Sequence, residues 1–295
     1  MSPRTDSPRE AQLDPDVRRR LERLATLLRF APSARGTSAG RDRGGRLGRA
    51  GEFEEFRPWR PGDELRALDV RVYRRLGRRV TRVDREDSAS PLTLLVDRSL
   101  SMADPARERA TRELAIFFLA VARARGEPCR VFFTTDRTLI PIAEKDPGTI
   151  EAAFDRVPPS GVADFTHALH SVPRSSLGPG RLVWLTDGFG IDALPPLAPA
   201  FEHGRVLLLA PWTREEWRPT PLGAVTLRSR EGETEWSGAI TPALVREYTA
   251  RNTRRWQRLA STFRERGGDA LRVVAEAGAI GAIDACLERG GWLTR

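Results

Sequence analysis

The stretch Leu92–Met102, LTLLVDRSLSM, constrains this chain more than any other. Leu92, Leu94, Leu95 and Val96 form a short apolar run with the length and branching of a strand buried on both faces, and the run stops at Asp97. Asp97, Ser99 and Ser101 then offer one carboxylate and two hydroxyls from a single loop, an oxygen-only set that suits a hard divalent cation such as Mg²⁺. From about Pro105 to Arg125, Ala110, Leu114, Phe117, Phe118 and Val121 recur at helical spacing. Strand, acidic loop and helix make the first half of a βαβ unit, and ligands of open α/β sheets sit beyond the carboxyl ends of the strands.

The rest of the chain continues that alternation. Arg130–Thr135 and Thr138–Ile142 read as an edge hairpin around Asp136 and Arg137, followed by short helices over Thr149–Val157 and Asp164–Val172, the second capped by Asp164. Leu182–Leu185 is a second buried strand, ending in Thr186, Asp187 and Gly188, and Arg205–Ala210 is a third. A hairpin over Val225–Arg228 and Thr234–Trp236, a long helix over Pro242–Glu265, a strand at Ala270–Ala275 and a helix at Gly278–Arg289 close the chain. Strands alternating with helices predict a mainly parallel sheet covered on both faces.

Ahead of this lies a different kind of sequence. Asp14–Phe30 reads as a helix with Asp14 as cap, Pro15 at the first position, and Val17, Leu21, Leu24, Leu27 and Leu28 as an apolar stripe that needs a partner surface. Ala31–Ala50 is Gly, Arg and Ser with almost no apolar content, and reads as a linker; its glycines lack a phosphate-binding arrangement. Gly51–Asp87 centres on a turn at Pro61, Gly62 and Asp63, flanked by Phe53, Phe56, Trp59 and Tyr73.

Composition narrows the class. A chain of 295 residues, 40% hydrophobic and 30% charged, is globular. No apolar run approaches the roughly 20 residues that span a bilayer. The opening MSPRTDSPREAQLDPD lacks the apolar centre of a secretion signal, which places the expectation in the cytoplasm. Cys129 and Cys286 are isolated and read as buried thiols; His167 and His170 share a helix face at i, i+3 but read as surface residues, with no third ligand nearby. The net charge of +9 is uneven, since residues 1–90 hold 22 Arg against 15 acids. That basic third could meet nucleic acid, but interleaved Glu52, Glu54, Glu55, Asp63 and Asp69 favour solvated, partly self-paired charge.

The motifs DRSLS and LTDG together resemble the metal-ion-dependent adhesion site of von Willebrand factor A domains. The segment from Gly51 resembles the signature of the domain of unknown function 58 family, in which an Arg, an aromatic, Pro-Gly-Asp, Arg and an aliphatic-Asp pair precede a von Willebrand A-like fold. The matching residues are Arg57, Trp59, Pro61, Gly62, Asp63, Arg66, Leu68, Asp69 and Arg75; Val70 stands where the pattern usually has Trp, and Trp59 where it usually has Tyr. The resemblance implies an α/β fold of the von Willebrand A type over residues 91–295, doubly wound, with helices on both faces. A small β-rich family segment over 51–90 would precede it, and an N-terminal helix with an Arg/Gly-rich linker would occupy 1–50.

In sites of that type the metal takes a carboxylate and hydroxyls from one loop, a Thr from a second, and an Asp, often through water, from a third. Asp97, Ser99, Ser101 and Asp187 fit the first and third. On the second loop Ala163 stands at the Thr position, leaving Thr166, one helical turn later, as the remaining hydroxyl. The implied cofactor is Mg²⁺, with Mn²⁺ or Ca²⁺ as substitutes, held weakly. The implied role is a protein-interaction module, not an enzyme: the metal accepts an acidic side chain of a protein partner, a MoxR-type AAA+ ATPase co-acting in chaperone-like assembly or maturation of other proteins. Two rivals stand beside it, a metal-dependent phosphoester hydrolase at the same oxygens and nucleic-acid binding through the basic third. From the residues alone, Asp97 can instead cap the following helix while Ser99 and Ser101 satisfy backbone donors. Arg98, next to the first carboxylate, is placed to weaken a cation site or to pair with Asp187.

Overall fold

The apolar stripe of the first helix, α1 (Pro15–Leu27), is buried at Leu21 and Leu28, half-buried at Val17 and Leu24 and exposed at Leu27 in the computed structural model, which describes residues 13–31, 52–58, 70–85, 91–173, 176–177, 180–191, 197–220, 223–229, 234–288 and 291–294. Asp14 caps α1 by accepting from Asp16 N at 2.8 Å, and Pro15 fits the first turn because that turn has no use for its missing N–H. The expected helix ends early. Leu28 is extended, and Arg29 and Phe30 form β1 (Arg29–Phe30), paired with the last strand at Leu293 and Thr294. Leu28 and Phe30 are buried while Arg29 between them is exposed, so a two-residue period replaces the helical one and seats Phe30 on Phe118 at 6.0 Å.

The chain divides into two compact units, Met1–Gly36 with Pro91–Arg295, and Thr37–Ser90. In the smaller unit, β2 (Glu52–Pro58) pairs antiparallel with β3 (Val80–Arg85), and α2 (Val70–Leu76) lies between them in sequence. The Pro61, Gly62, Asp63 turn, with Trp59, Arg66, Leu68 and Asp69, and the linker over 32–50 lie outside the described residues.

The larger unit is built on β4 (Leu92–Asp97), whose residues are all buried. It is followed by α3 (Pro105–Ala124), β5 (Cys129–Thr135), β6 (Thr138–Ile142), α4 (Ile150–Arg156), α5 (Phe165–His170), β7 (Arg181–Leu185), α6 (Ala198–His203), β8 (Arg205–Trp212) and α7 (Arg214–Trp217). The hairpin β9 (Gly223–Arg228) and β10 (Glu235–Ile240), α8 (Pro242–Glu265), β11 (Asp269–Val274), α9 (Gly278–Glu288) and β12 (Leu293–Thr294) complete it. Among the described residues the main sheet runs β11-β8-β7-β4-β5-β6, parallel throughout except for the antiparallel edge strand β6. This is a mixed α/β protein with a mostly parallel central sheet.

Strand alternation divides the core in two. Leu94, Val96, Val131, Phe133, Val183 and Leu185 face α1, α3, α4 and α9, while Leu95, Phe132, Leu182, Trp184 and Leu208 face α5, α6 and the end of α8. Burial on both faces is why β4, β7 and β8 are runs of Leu, Val and Trp rather than alternating polar strands. Among the described residues no helix is long and apolar enough to cross a membrane.

Candidate metal centre

β4 and β7 are neighbours in register, Val96 beside Leu185, so the loops leaving their carboxyl ends emerge side by side. That parallel pairing brings Asp97 and Asp187 together across 90 residues of sequence. Asp97 Oδ1 accepts from Ser99 N at 2.8 Å and its Oδ2 accepts from Thr186 Oγ1 at 2.8 Å. Ser99 Oγ and Ser101 Oγ lie 3.0 Å apart, and the Ser101 hydroxyl bonds Asp187. Asp187 Oδ1 accepts from Phe189 N at 2.8 Å, a tight turn that Gly188 permits with its positive φ of 78°. Asp97, Ser99, Ser101 and Asp187 therefore form one connected oxygen cluster, buried except for the half-buried Ser101.

Thr166 is not among them. It lies near the start of α5 with an exposed side chain, and its carbonyl accepts from His170 Nδ1 at 2.5 Å. Asp164 caps that helix by accepting from His167 N at 3.1 Å, and His167 and His170 are exposed. The loop before α5 nevertheless lies against the cluster: Leu100 N donates to Gly161 O at 3.0 Å, and Ser160 N donates to Arg98 O at 2.7 Å. A Cβ on Gly190, just past Asp187, would lie 3.7 Å from Ala163 O.

The helix-capping alternative for Asp97 fails on position. Asp104 caps α3, accepting from Ala106 N at 3.0 Å and Arg107 N at 3.3 Å, with Pro105 in the first turn. A 3₁₀ turn over Leu100–Ala103 separates Asp97 from that helix.

Arg98 turns away from the cluster. Its guanidinium is fully buried beside the Phe154 ring, 4.8 Å from the centroid, pairs with Glu108, and donates to Val157 O at 2.8 Å. The cation that meets Asp187 is Arg107, in the first turn of α3, at 3.4 Å from Oδ2. Arg107 also donates to Ser101 O, to Pro211 O at 3.0 Å, and to Glu216. Glu216 is held by a capping box with Thr213, and Thr-x-x-Glu is a pattern visible in sequence; nothing local marks Arg107. Trp212 Nε1 fixes the third loop by donating to Asp187 O at 2.8 Å.

Burial dominates the electrostatics. It pushes the Asp97 carboxyl from 3.8 up to about 7, with the nearby Asp187 charge adding to it and the Ser99 and Thr186 bonds opposing it. Burial also raises Asp187, against the pull of Arg107 and the Phe189 amide. For Arg107, burial disfavours the charge, but Glu216 and Asp187 more than restore it. Among the described residues no cation is ion-paired with Asp97, and no group of three His, Cys, Asp or Glu side chains gathers as a metal site. What gathers is two carboxylates with two hydroxyls. That donor set fits a hard, water-retaining cation and not a soft one.

A mostly parallel α/β sheet with an oxygen cluster at its carboxyl end defines the class. The family described as a protein of unknown function, DUF58, matches residues 55–256, and the chain belongs to that family. No curated protein matches the chain. Among solved structures, conserved hypothetical protein BatB from Bacteroides thetaiotaomicron is similar at TM-score 0.43 and 14% identity, covering 68% of this chain and 98% of that one. An aerotolerance-related membrane protein from Bacteroides fragilis NCTC 9343, with multiple mutations to serines, is similar at TM-score 0.36 and 13% identity, covering 66% and 96%.

Proposed function

We propose that the chain is a cytoplasmic protein-interaction module of von Willebrand A-like fold whose Asp97, Ser99, Ser101 and Asp187 hold a divalent cation in the manner of a metal-ion-dependent adhesion site. One observation carries this: two buried carboxylates share a cluster in which, among the described residues, Asp187 alone has a cationic partner, so positive charge is lacking at Asp97. Mg²⁺ keeps several waters readily, so a site with few direct protein ligands still suits it. When bound, the cation would supply a Lewis-acidic position for an acidic side chain of a partner. The protein's own part is to hold the hydroxyls in line and keep Asp187 oriented through Trp212 and Phe189. Binding, not turnover, is the role this reading assigns: among the described residues no histidine or thiol stands among the cluster's contacts, and both cysteines belong to other parts of the fold. The partner the family resemblance suggests is a MoxR-type AAA+ ATPase.

Calorimetry on three proteins tests the site. Mg²⁺ should bind the native chain weakly, bind Ala163→Thr more tightly because a hydroxyl returns to the second loop, and fail to bind Asp97→Ala with the fold intact. Metal and an acidic partner should strengthen each other by the same factor. If the native chain takes up neither Mg²⁺ nor Mn²⁺ at millimolar concentration and Ala163→Thr changes nothing, the cation site is discarded.

A further inference from the structure

We infer that the hairpin β9–β10 and the face of α8 from Leu244 to Arg258 form a docking surface for an acidic protein segment anchored by apolar side chains. The hairpin is amphipathic by register. Trp236 lies opposite Leu227 and Gly238 opposite Val225 on one face; Thr226 opposite Ser237 and Arg228 opposite Glu235 make the other. The polar face satisfies itself, with Thr226 Oγ1 and Ser237 Oγ at 2.9 Å and Arg228 bonded to Glu235 at 2.9 Å. The apolar face stays uncovered: Leu227 is 49% exposed and Trp236 43% exposed. Cross-strand apolar pairs of this kind normally bury a face against a core, and a two-stranded sheet alone is marginal in water. The Trp236 ring lies over Gly238, where a Cβ would come within 2.5 Å of it, so the sequence leaves room for the ring to lie flat.

Thr241 joins β10 directly to α8, and the helix adds charge. Leu244, Tyr248, Arg251, Arg255 and Arg258 fall at i, i+4, i+7, i+11 and i+14, one face of α8. Leu244 and Tyr248 are exposed. Over its length α8 carries six Arg against two Glu, and among the described residues Arg246, Arg251, Arg254 and Arg258 form no ion pair. The stripe therefore passes from apolar to unopposed cationic, which an acidic segment with apolar anchors would complement. The same face reaches the loop after Asp187, where Arg255 donates to Gly188 O at 3.1 Å and lies over the Phe189 ring at 4.4 Å.

A protein fits better than an anionic bilayer. In the two-stranded sheet, β9 and β10 each keep an edge that no described strand pairs, and only another backbone completes such an edge. The surface stands without the cation; only the meeting of its occupant with the cluster rests on the function proposed above.

The test is a displayed library of random peptides selected on the full chain. Selected peptides should be enriched in Asp and Glu together with Leu, Ile or Phe. They should bind at least tenfold more weakly to Leu227→Ser/Trp236→Ser and to Arg251→Glu/Arg258→Glu, both variants keeping the native thermal transition. They should bind Asp97→Asn in EDTA as they bind the native chain, which separates this surface from the cation site. No acidic enrichment, equal binding to both double variants, or loss in Asp97→Asn alone would overturn the proposal. So would phosphatidylglycerol vesicles that bind the native chain and lose it in the same double variants.

Discussion

Asp97→Asn should stabilise the metal-free protein above neutral pH. Asp97 is 1% exposed and burial raises its carboxyl from 3.8 to about 7, so between those values the folded chain holds a proton that the unfolded chain has released. The sign follows from proton counting: where the folded state binds more protons, stability falls as pH rises, and the loss is complete once pH passes the folded value. At about 1.4 kcal/mol per pH unit, the gap corresponds to a ceiling on the order of 4 kcal/mol. Asparagine has nearly the same shape and carries no charge. Its carbonyl can accept from Ser99 N and its amide can donate to Thr186 Oγ1 once that hydroxyl turns its own proton away. Urea denaturation in EDTA should therefore show the two proteins nearly equal near about pH 4 and the variant ahead by about 2–4 kcal/mol near about pH 8. Millimolar Mg²⁺ should then stabilise the native chain and leave the variant unmoved, because a cation that binds only the folded state adds stability in proportion to its occupancy. If Asp97→Asn is less stable than the native chain at the alkaline end in EDTA, the carboxylate is favourably ionised and the charge imbalance inferred for this cluster does not exist.

Two other outcomes follow from the same core. Arg107→Met should cost about 3–5 kcal/mol in urea denaturation, since it leaves Asp187 and Glu216 without their shared buried cation, and Arg107→Met/Asp187→Asn should recover part of the loss. Both thiols should resist labelling in the native chain near about pH 8, because burial pushes Cys129 up to about 11 and Cys286 up to about 12, and both should react once urea unfolds it; prompt native-state labelling of Cys286 would contradict its burial.

Local patterns carried far along this chain. The strand before Asp97, the hairpin across Asp136 and Arg137, the Asp164 cap and the bounds of the long helix from Pro242 to Glu265 are all visible in sequence, because caps, prolines and apolar periods act between residues a few positions apart. So was the pairing of a D-x-S-x-S loop with a later Thr-Asp-Gly, since each follows an apolar strand. The helix to Phe30 overran for the opposite reason: the pull on Phe30 comes from Phe118 and from Leu293, far away in the chain.

Tertiary structure decided the charges. Arg98 sits beside Asp97 in sequence, yet β-strand geometry and the Phe154 ring carry it to Glu108, while Arg107, ten residues from Asp97, reaches Asp187 because α3 turns back over the carboxyl end of the sheet. Thr166 offered a hydroxyl in sequence, but the first turn of α5 leaves it in solvent. The apolar face of β9 and β10 could be read as alternation; that it stays uncovered is a property of how the larger unit packs. Sequence alone determined which side chains could supply oxygen, charge or apolar surface, because that is chemistry each residue carries with it. Which of them meet was decided only by the fold, because burial and ion pairing depend on distances between elements that no local pattern specifies.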